Sequence, residues 1–213
     1  MPLIQTQAPA VEPIALADAK NFLRLDSDLT ADDTLITLLI SAARRYAESY
    51  TGRSFITQKW KLVLDGFPGW SLMGMPYGTT YSHPRQGVIF EKGPVQSVDS
   101  IVYVDMAGVT QTVTAPASPD YAIDLTGAQE RMTPGFGKIW PIPLPQIGAV
   151  QINYTAGYGP AAGDVPEGIR HWMFLRVASL YENREEVAIL TRGKVELLPF
   201  VDFLLDPYKV PSL

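Results

Sequence analysis

Ala42-Ala43-Arg44-Arg45-Tyr46-Ala47-Glu48-Ser49-Tyr50-Thr51-Gly52-Arg53 runs, past Ser54, into Phe55-Ile56-Thr57-Gln58-Lys59-Trp60. Read from Leu35, the first stretch is an amphipathic helix, with Leu35, Leu38, Leu39, Ala42, Tyr46 and Tyr50 on one face. Thr37, Ser41, Arg44, Arg45 and Glu48 fall largely on the other. Gly52 stands where a left-handed cap closes a helix. From Thr57 the period drops to two, Trp60, Leu62 and Leu64 alternating with Lys59, Lys61, Val63 and Asp65, which predicts a strand. A helix is thus handed directly to a strand, and no residue in either looks like a reagent. This pattern points to assembly rather than catalysis.

Upstream, Thr30 is placed to cap this helix, with Asp33 three residues on, so that the helix reaches Thr51 over roughly 30 Å. A shorter helix is predicted at about Leu16 to Leu25, carried by Leu16, Ala19, Phe22 and Leu23 and ended by Asp26-Ser27-Asp28. Residues 1–13, with Pro2, Pro9 and Pro13 and no periodicity, read as an extended arm. Downstream, strands are predicted at about Gly87–Phe90, Ser97–Val104, Val109–Val113, Tyr121–Asp124 and Val150–Thr155. Asp105-Met106-Ala107-Gly108 forms a hairpin loop between two of them. Gly135-Phe136-Gly137-Lys138 lacks the upstream glycine and the Ser or Thr of a phosphate loop, and reads as a turn into a strand at Ile139-Trp140. Residues 66–86 are turn-rich, carry Trp70, Tyr77 and Tyr81, and exceed the ~12–15 residues of an ordinary connection. They either cover the sheet or bind a partner.

A third helix is predicted from Asp164, with Glu167 completing a capping box and Pro166 in the first turn, to about Asn183. Ile169, Trp172, Met173, Phe174, Leu175, Val177, Leu180 and Tyr181 make it apolar nearly all round. Such a helix is buried on more than one side, in its own core or against another subunit. After Arg184-Glu185-Glu186, the terminal segment around Leu197–Tyr208 is too apolar for a solvated tail. The fold class is therefore α+β: a helical bundle from N- and C-terminal helices with an inserted small antiparallel β region. The expected segments are an arm at 1–13, helices at 14–56, the β region at 57–156, the long helix at 157–186 and a docking segment at 187–213.

Composition narrows the function. At 213 residues the chain can bury a full core, and its 22 acidic against 17 basic residues, net charge −5, give no overall footprint for wrapping nucleic acid. The absence of cysteine excludes disulfides, thiolate nucleophiles and Cys-based metal sites. His83 and His171 lie far apart without a HExxH spacing, no Gly-x-Ser-x-Gly elbow occurs, and Gly157-Tyr158-Gly159 misses the dinucleotide frame. The adjacent pairs Asp32-Asp33 and Glu185-Glu186 do not share a helix face. No catalytic residue, metal or cofactor is expected. The start lacks a signal-peptide pattern and no stretch reaches the ~18 apolar residues of a membrane span, so a soluble, cytoplasmic protein is expected.

Leu16-Ala17-Asp18-Ala19-Lys20-Asn21-Phe22-Leu23-Arg24, the Ala42–Arg53 block, Tyr154-Thr155-Ala156-Gly157-Tyr158-Gly159 before Val165-Pro166-Glu167-Gly168-Ile169-Arg170, and Leu180-Tyr181-Glu182-Asn183-Arg184-Glu185 occur in that order. Together they resemble the head-tail connector (adaptor) proteins of tailed bacteriophages and related gene transfer agents, over about residues 14–208. The resemblance implies a non-enzymatic virion protein forming a homo-oligomeric, twelve-fold ring beneath the portal, extending the channel through which packaged DNA passes, and presenting a surface to head-closure or tail-terminator proteins. It implies assembly in the host cytoplasm, residence in the neck and no membrane partner. On this reading Leu197, Leu198, Phe200, Phe203, Leu204, Leu205 and Tyr208 bind the portal. Trp70, Met73, Met75, Tyr77 and Tyr81 meet the tail side or a neighbour, and Trp172, Phe174, Leu175 and Tyr181 form the subunit interface. The acidic net charge suits a channel in which DNA must slide. The alternative, suggested by the aromatic loop, is a small-ligand or carbohydrate-binding β module with a helical flank, followed by a soluble hydrolase.

Overall fold

A computed structural model describes residues 2–68, 87–113, 121–126, 129–136, 138–182 and 202–210. The chain is mixed α+β and divides into two compact units. One comprises Met1–Ala8 and Thr57–Gly157, the other Pro9–Ile56 and Tyr158–Ser212.

The first unit holds the strands. β1 (Leu3–Gln7), β2 (Gln58–Leu64), β4 (Val95–Val104), β5 (Thr110–Val113) and β8 (Val150–Ala156) form an antiparallel sheet in the order β1-β2-β8-β4-β5. β3 (Val88–Ile89), β6 (Tyr121–Asp124) and β7 (Arg131–Pro134) form a second antiparallel sheet in the order β3-β7-β6. The period-two pattern sets the register: Trp60 faces Tyr154, Leu62 faces Ile152 and Leu64 faces Val150. Leu62, Ile101, Ile152 and Tyr154 fill the core with Met132 and Phe90. Burial pushes the Tyr154 phenol well above its ordinary pKa, and its hydroxyl donates to the Glu91 carbonyl at 2.5 Å.

Three expectations change here. The start of the arm is an edge strand, β1, pairing with β2 through Leu3–Leu62 and Gln5–Trp60. β7 carries no clear alternation and escaped the sequence reading. Ile139-Trp140 is not a strand, because Pro141, Pro143 and Pro145 remove the donors a ladder needs.

The second unit holds the helices α1 (Leu16–Phe22), α2 (Asp33–Thr51) and α3 (Glu167–Glu182), which pack on one another. α2 ends at Gly52, left-handed at φ 71°, as its sequence requires. It begins later than Thr30: the Asp33 amide donates to the Thr30 carbonyl as a turn, and the Asp33 carboxylate pairs with Lys20 at 3.0 Å. Lys20, nearly buried, also donates to the Ser27 and Leu29 carbonyls at 2.9 and 2.7 Å, tying down the link between α1 and α2. α3 likewise begins at Glu167. Asp164 belongs to a preceding 3₁₀ turn, where its carboxylate accepts the Ala161 amide at 2.8 Å.

The buried face of α2 is rotated from the expected stripe. Ile36, Ile40, Ala43 and Ala47 are buried while Leu38 and Tyr46 are exposed. Arg44 and Glu48, expected in solvent, are buried as well. Arg44 donates to Glu12 at 2.7 Å and to Glu48 at 2.9 Å, and Glu48 accepts the Phe55 amide at 3.0 Å. Burial alone would lower the Arg44 pKa, but its bonds to Glu12 and Glu48 outweigh that and raise it. Small alanines admit a close neighbour, and the ion pairs make the charged flank tolerable inside.

Candidate interaction surfaces

In the helical unit, α3 turns its apolar side chains inward. Trp172 has no exposed surface, and its ring stacks on Tyr46 at 5.7 Å. The Arg176 guanidinium lies 5.5 Å from the centre of that same Tyr46 ring. Phe174, half-buried, stacks on Phe22 at 5.3 Å, and the half-buried Tyr181 donates its hydroxyl to Asp32 at 2.6 Å. Leu175 is half-buried. Of the four residues expected at a subunit interface, Trp172 is therefore core. A side chain without accessible surface makes no contact with another copy.

The terminal segment 202–210 forms two 3₁₀ turns fastened to its own unit. The Tyr50 hydroxyl donates to Asp206 at 2.8 Å, Arg53 Nε to the Tyr208 carbonyl at 2.7 Å, the Val210 amide to the Thr51 carbonyl at 2.9 Å and Trp172 Nε1 to Asp202 at 3.2 Å. The bond to Asp206 raises the Tyr50 pKa. Leu205 is fully buried in the helical core, with Leu204 and Tyr208 packed against that core, whereas Phe203 is 63% exposed. Leu205, expected at the portal, is thus an internal anchor, because the bonds from Tyr50, Arg53 and Thr51 fold the segment back onto its own unit. Leu197, Leu198 and Phe200 lie outside the described residues, as do Trp70, Met73, Met75, Tyr77 and Tyr81.

Among the described residues of the sheet unit, the three most exposed large apolar side chains, Phe136, Ile147 and Ile139, sit on the connection from β7 to β8. Phe136 is wholly exposed, Ile147 94%, Ile139 84% and Ile142 51%. Rigid points hold this segment. Trp140 is buried, stacked on Phe67 at 4.6 Å and on Tyr121 at 5.2 Å. Asp105 bridges to Pro143, the Leu144 amide donates to the Val104 carbonyl at 2.8 Å, and the Gly148 amide donates to Asp65 at 2.8 Å. The sequence reading missed this surface. Its signal was present: large apolar residues in a run whose prolines forbid the strand that would have buried them.

Chemistry is sparse. Among the described residues no group of three or more His, Asp or Glu could hold a metal, and no helix is long and apolar enough to cross a membrane. His171 is exposed, and His83 lies outside the described residues. The lowered pKa of Asp105 comes from the Gln111 amide and the Val109 and Ala107 backbone, and that of Asp124 from Thr126 and Arg131, both structural turns.

Residues 13–77 match the family of phage gp6-like head-tail connector proteins. The whole fold is similar to a chain in the neck of an empty gene transfer agent particle computed with C6 symmetry. That likeness has 24% identity and a TM-score of 0.76, covering 100% of this chain and 97% of the other. A chain of the virion of a native gene transfer agent particle gives 24% identity and 0.75, with the same coverage. The neck of the native particle computed with C12 symmetry gives 23% and 0.68, again covering 100% and 97%. No curated protein sequence matches. The connector match spans α1, α2 and β2, the stretch from which the sequence reading began.

Proposed function

We propose that this chain is a structural, non-enzymatic subunit of a virion neck. It forms a twelve-fold adaptor ring between the portal of the DNA-filled head and the head-closure or tail-terminator proteins, and prolongs the DNA channel. The observation that carries this reading is the coincidence of a connector-family match at residues 13–77 with a likeness along the full chain to chains of gene transfer agent necks. The helices form the body of the ring as a bundle. Phe203, exposed beside the buried anchor Leu205, docks on the portal together with Leu197, Leu198 and Phe200. Leu204 and Tyr208 support it from the helical unit. Trp70, Met73, Met75, Tyr77 and Tyr81 face the tail side.

Supporting this reading, the described residues offer apolar surface for partners. Deletion of the gene tests it: the expected product is DNA-filled heads without tails, restored by the wild-type chain. Complete, tailed particles from the deletion strain would refute the proposal. The variant Phe203→Asp, in an exposed position, is expected to fold normally and bind portal poorly, and unchanged portal binding would remove Phe203 from the contact.

A further inference from the structure

Exposed apolar side chains gather at one end of the larger sheet. Asp105, in the turn from β4 to β5, bridges to Pro143, and the Leu144 amide donates to the Val104 carbonyl at 2.8 Å. These contacts set the turn against the connection from β7 to β8. At the same end β2 finishes and β8 begins, joined by the Gly148 amide on Asp65 at 2.8 Å. Trp140, stacked on Phe67 just past β2, holds the first part of the connection there too. Met106 and Val109 of the turn, both more than half exposed, therefore share this end with Phe136, Ile139, Ile142 and Ile147. Their combined accessible area is on the order of 800 Å², which is what one partner contributes to a stable protein–protein interface and more than the largest apolar patch of an ordinary monomer.

The number of faces says what covers this surface. Copies joined head to tail in a ring need two different, complementary surfaces each, whereas a second protein docking on the ring needs one per copy. The six side chains form one. The portal contact proposed above lies on the helical unit, so the sheet end is left for the other neighbour. We infer that it receives the head-closure protein, through a matching apolar and uncharged surface of that protein. This rests on the adaptor-ring reading and names the surface its second partner uses. Both acidic side chains at this end are spent internally, Asp105 on the Ala107 and Val109 amides and Gln111, Asp65 on the Gly148 amide. Charge therefore contributes little, and desolvation of the apolar groups drives the contact. The bonds that brace turn and connection also hold the surface in shape before binding, which lowers the ordering cost.

The test uses rings of the full chain assembled on the cognate portal protein, inspected by electron microscopy and then mixed with the cognate head-closure protein. Phe136→Asp with Ile139→Asp should melt as the wild type and close rings on the portal, yet bind the head-closure protein about tenfold more weakly or worse. Met106→Asp, on the turn rather than the connection, should do the same, because both elements build one surface. Wild-type binding should change little between about 0.1 and 0.5 M salt. Undiminished binding by either variant overturns the inference, as does binding that falls steeply with salt. Variants that melt normally but no longer close rings overturn it in favour of a contact between copies. If the wild-type chain forms no ring on the portal, the adaptor reading itself fails and takes the inference with it, so the two failures are distinguishable.

Discussion

Trp172 and Phe136 are both large aromatic residues in apolar stretches, yet one has no accessible surface and the other is wholly exposed. Trp172 sits on a helix with α2 on one side and the 202–210 segment on another, so burial and a hydrogen bond to Asp202 come together. Phe136 sits in a connection whose backbone is committed elsewhere, and its neighbour Trp140 takes the inward position. The helical unit thus turns its most apolar helix on itself, while the sheet unit leaves apolar side chains on a braced connection. Surplus hydrophobicity along a sequence does not by itself mark an interface. The interface candidate is the apolar residue whose backbone is fixed and whose side chain finds no internal partner.

The strongest test of the helical side is its buried charge. Arg44→Ala removes the buried guanidinium that bonds both Glu12 and Glu48, and is expected to destabilise the chain by about 3–5 kcal/mol in thermal or denaturant unfolding. A change below about 1 kcal/mol would mean that water already reaches these carboxylates. In the sheet unit, Ile152→Ala opens a cavity between β2 and β4 and is expected to cost about 2–5 kcal/mol. Hydrogen exchange separates the two effects. Protection should fall first across α2 in the former variant and across β8 in the latter.

A smaller effect belongs to the β4–β5 hairpin. Asp105 accepts the Ala107 and Val109 amides, both at 2.9 Å, and the Gln111 side chain at 2.8 Å. These bonds hold its carboxyl below the ordinary value of 3.8. A depressed folded-state pKa means the contribution is complete above the unfolded value and is lost as pH falls through the folded one. The Ala107 and Val109 amides should therefore lose protection below about pH 3.8 before the central strands do. Asp105→Asn should remove this pH dependence, and its persistence would assign it to another carboxylate.

Much of this architecture was legible in the residues. The α2–Gly52–β2 succession and the alternation of Trp60, Leu62 and Leu64 follow from local rules, since a glycine past a helix end and a period of two each have few structural meanings. The rotation of the α2 face was not legible. Arg44 and Glu48 read as solvent residues until Glu12, distant in sequence, supplies the partner that lets them be buried. Leu205 was legible as apolar but not as internal, because whether such a segment folds back depends on Tyr50, Arg53 and Thr51 at the end of another element. The projecting segment was hidden for the opposite reason. Ile139-Trp140 has strand composition, and only the three following prolines, weighed against it, say that no ladder forms there.

The smallest expected effect on stability carries the most information about assembly. Phe136→Ser removes a wholly exposed side chain, so its unfolding free energy should lie within about 0.5 kcal/mol of the wild type. Trp172→Ser should lower stability far more, through cavity, lost stacking on Tyr46 and an unpaired Asp202. If binding of the head-closure protein, followed by sedimentation with rings on the portal, falls in Phe136→Ser while melting is unchanged, exposure has been kept for a partner. If stability falls instead, Phe136 has an internal role in solution, and the distinction between a helix closed on itself and a connection held open for a neighbour collapses.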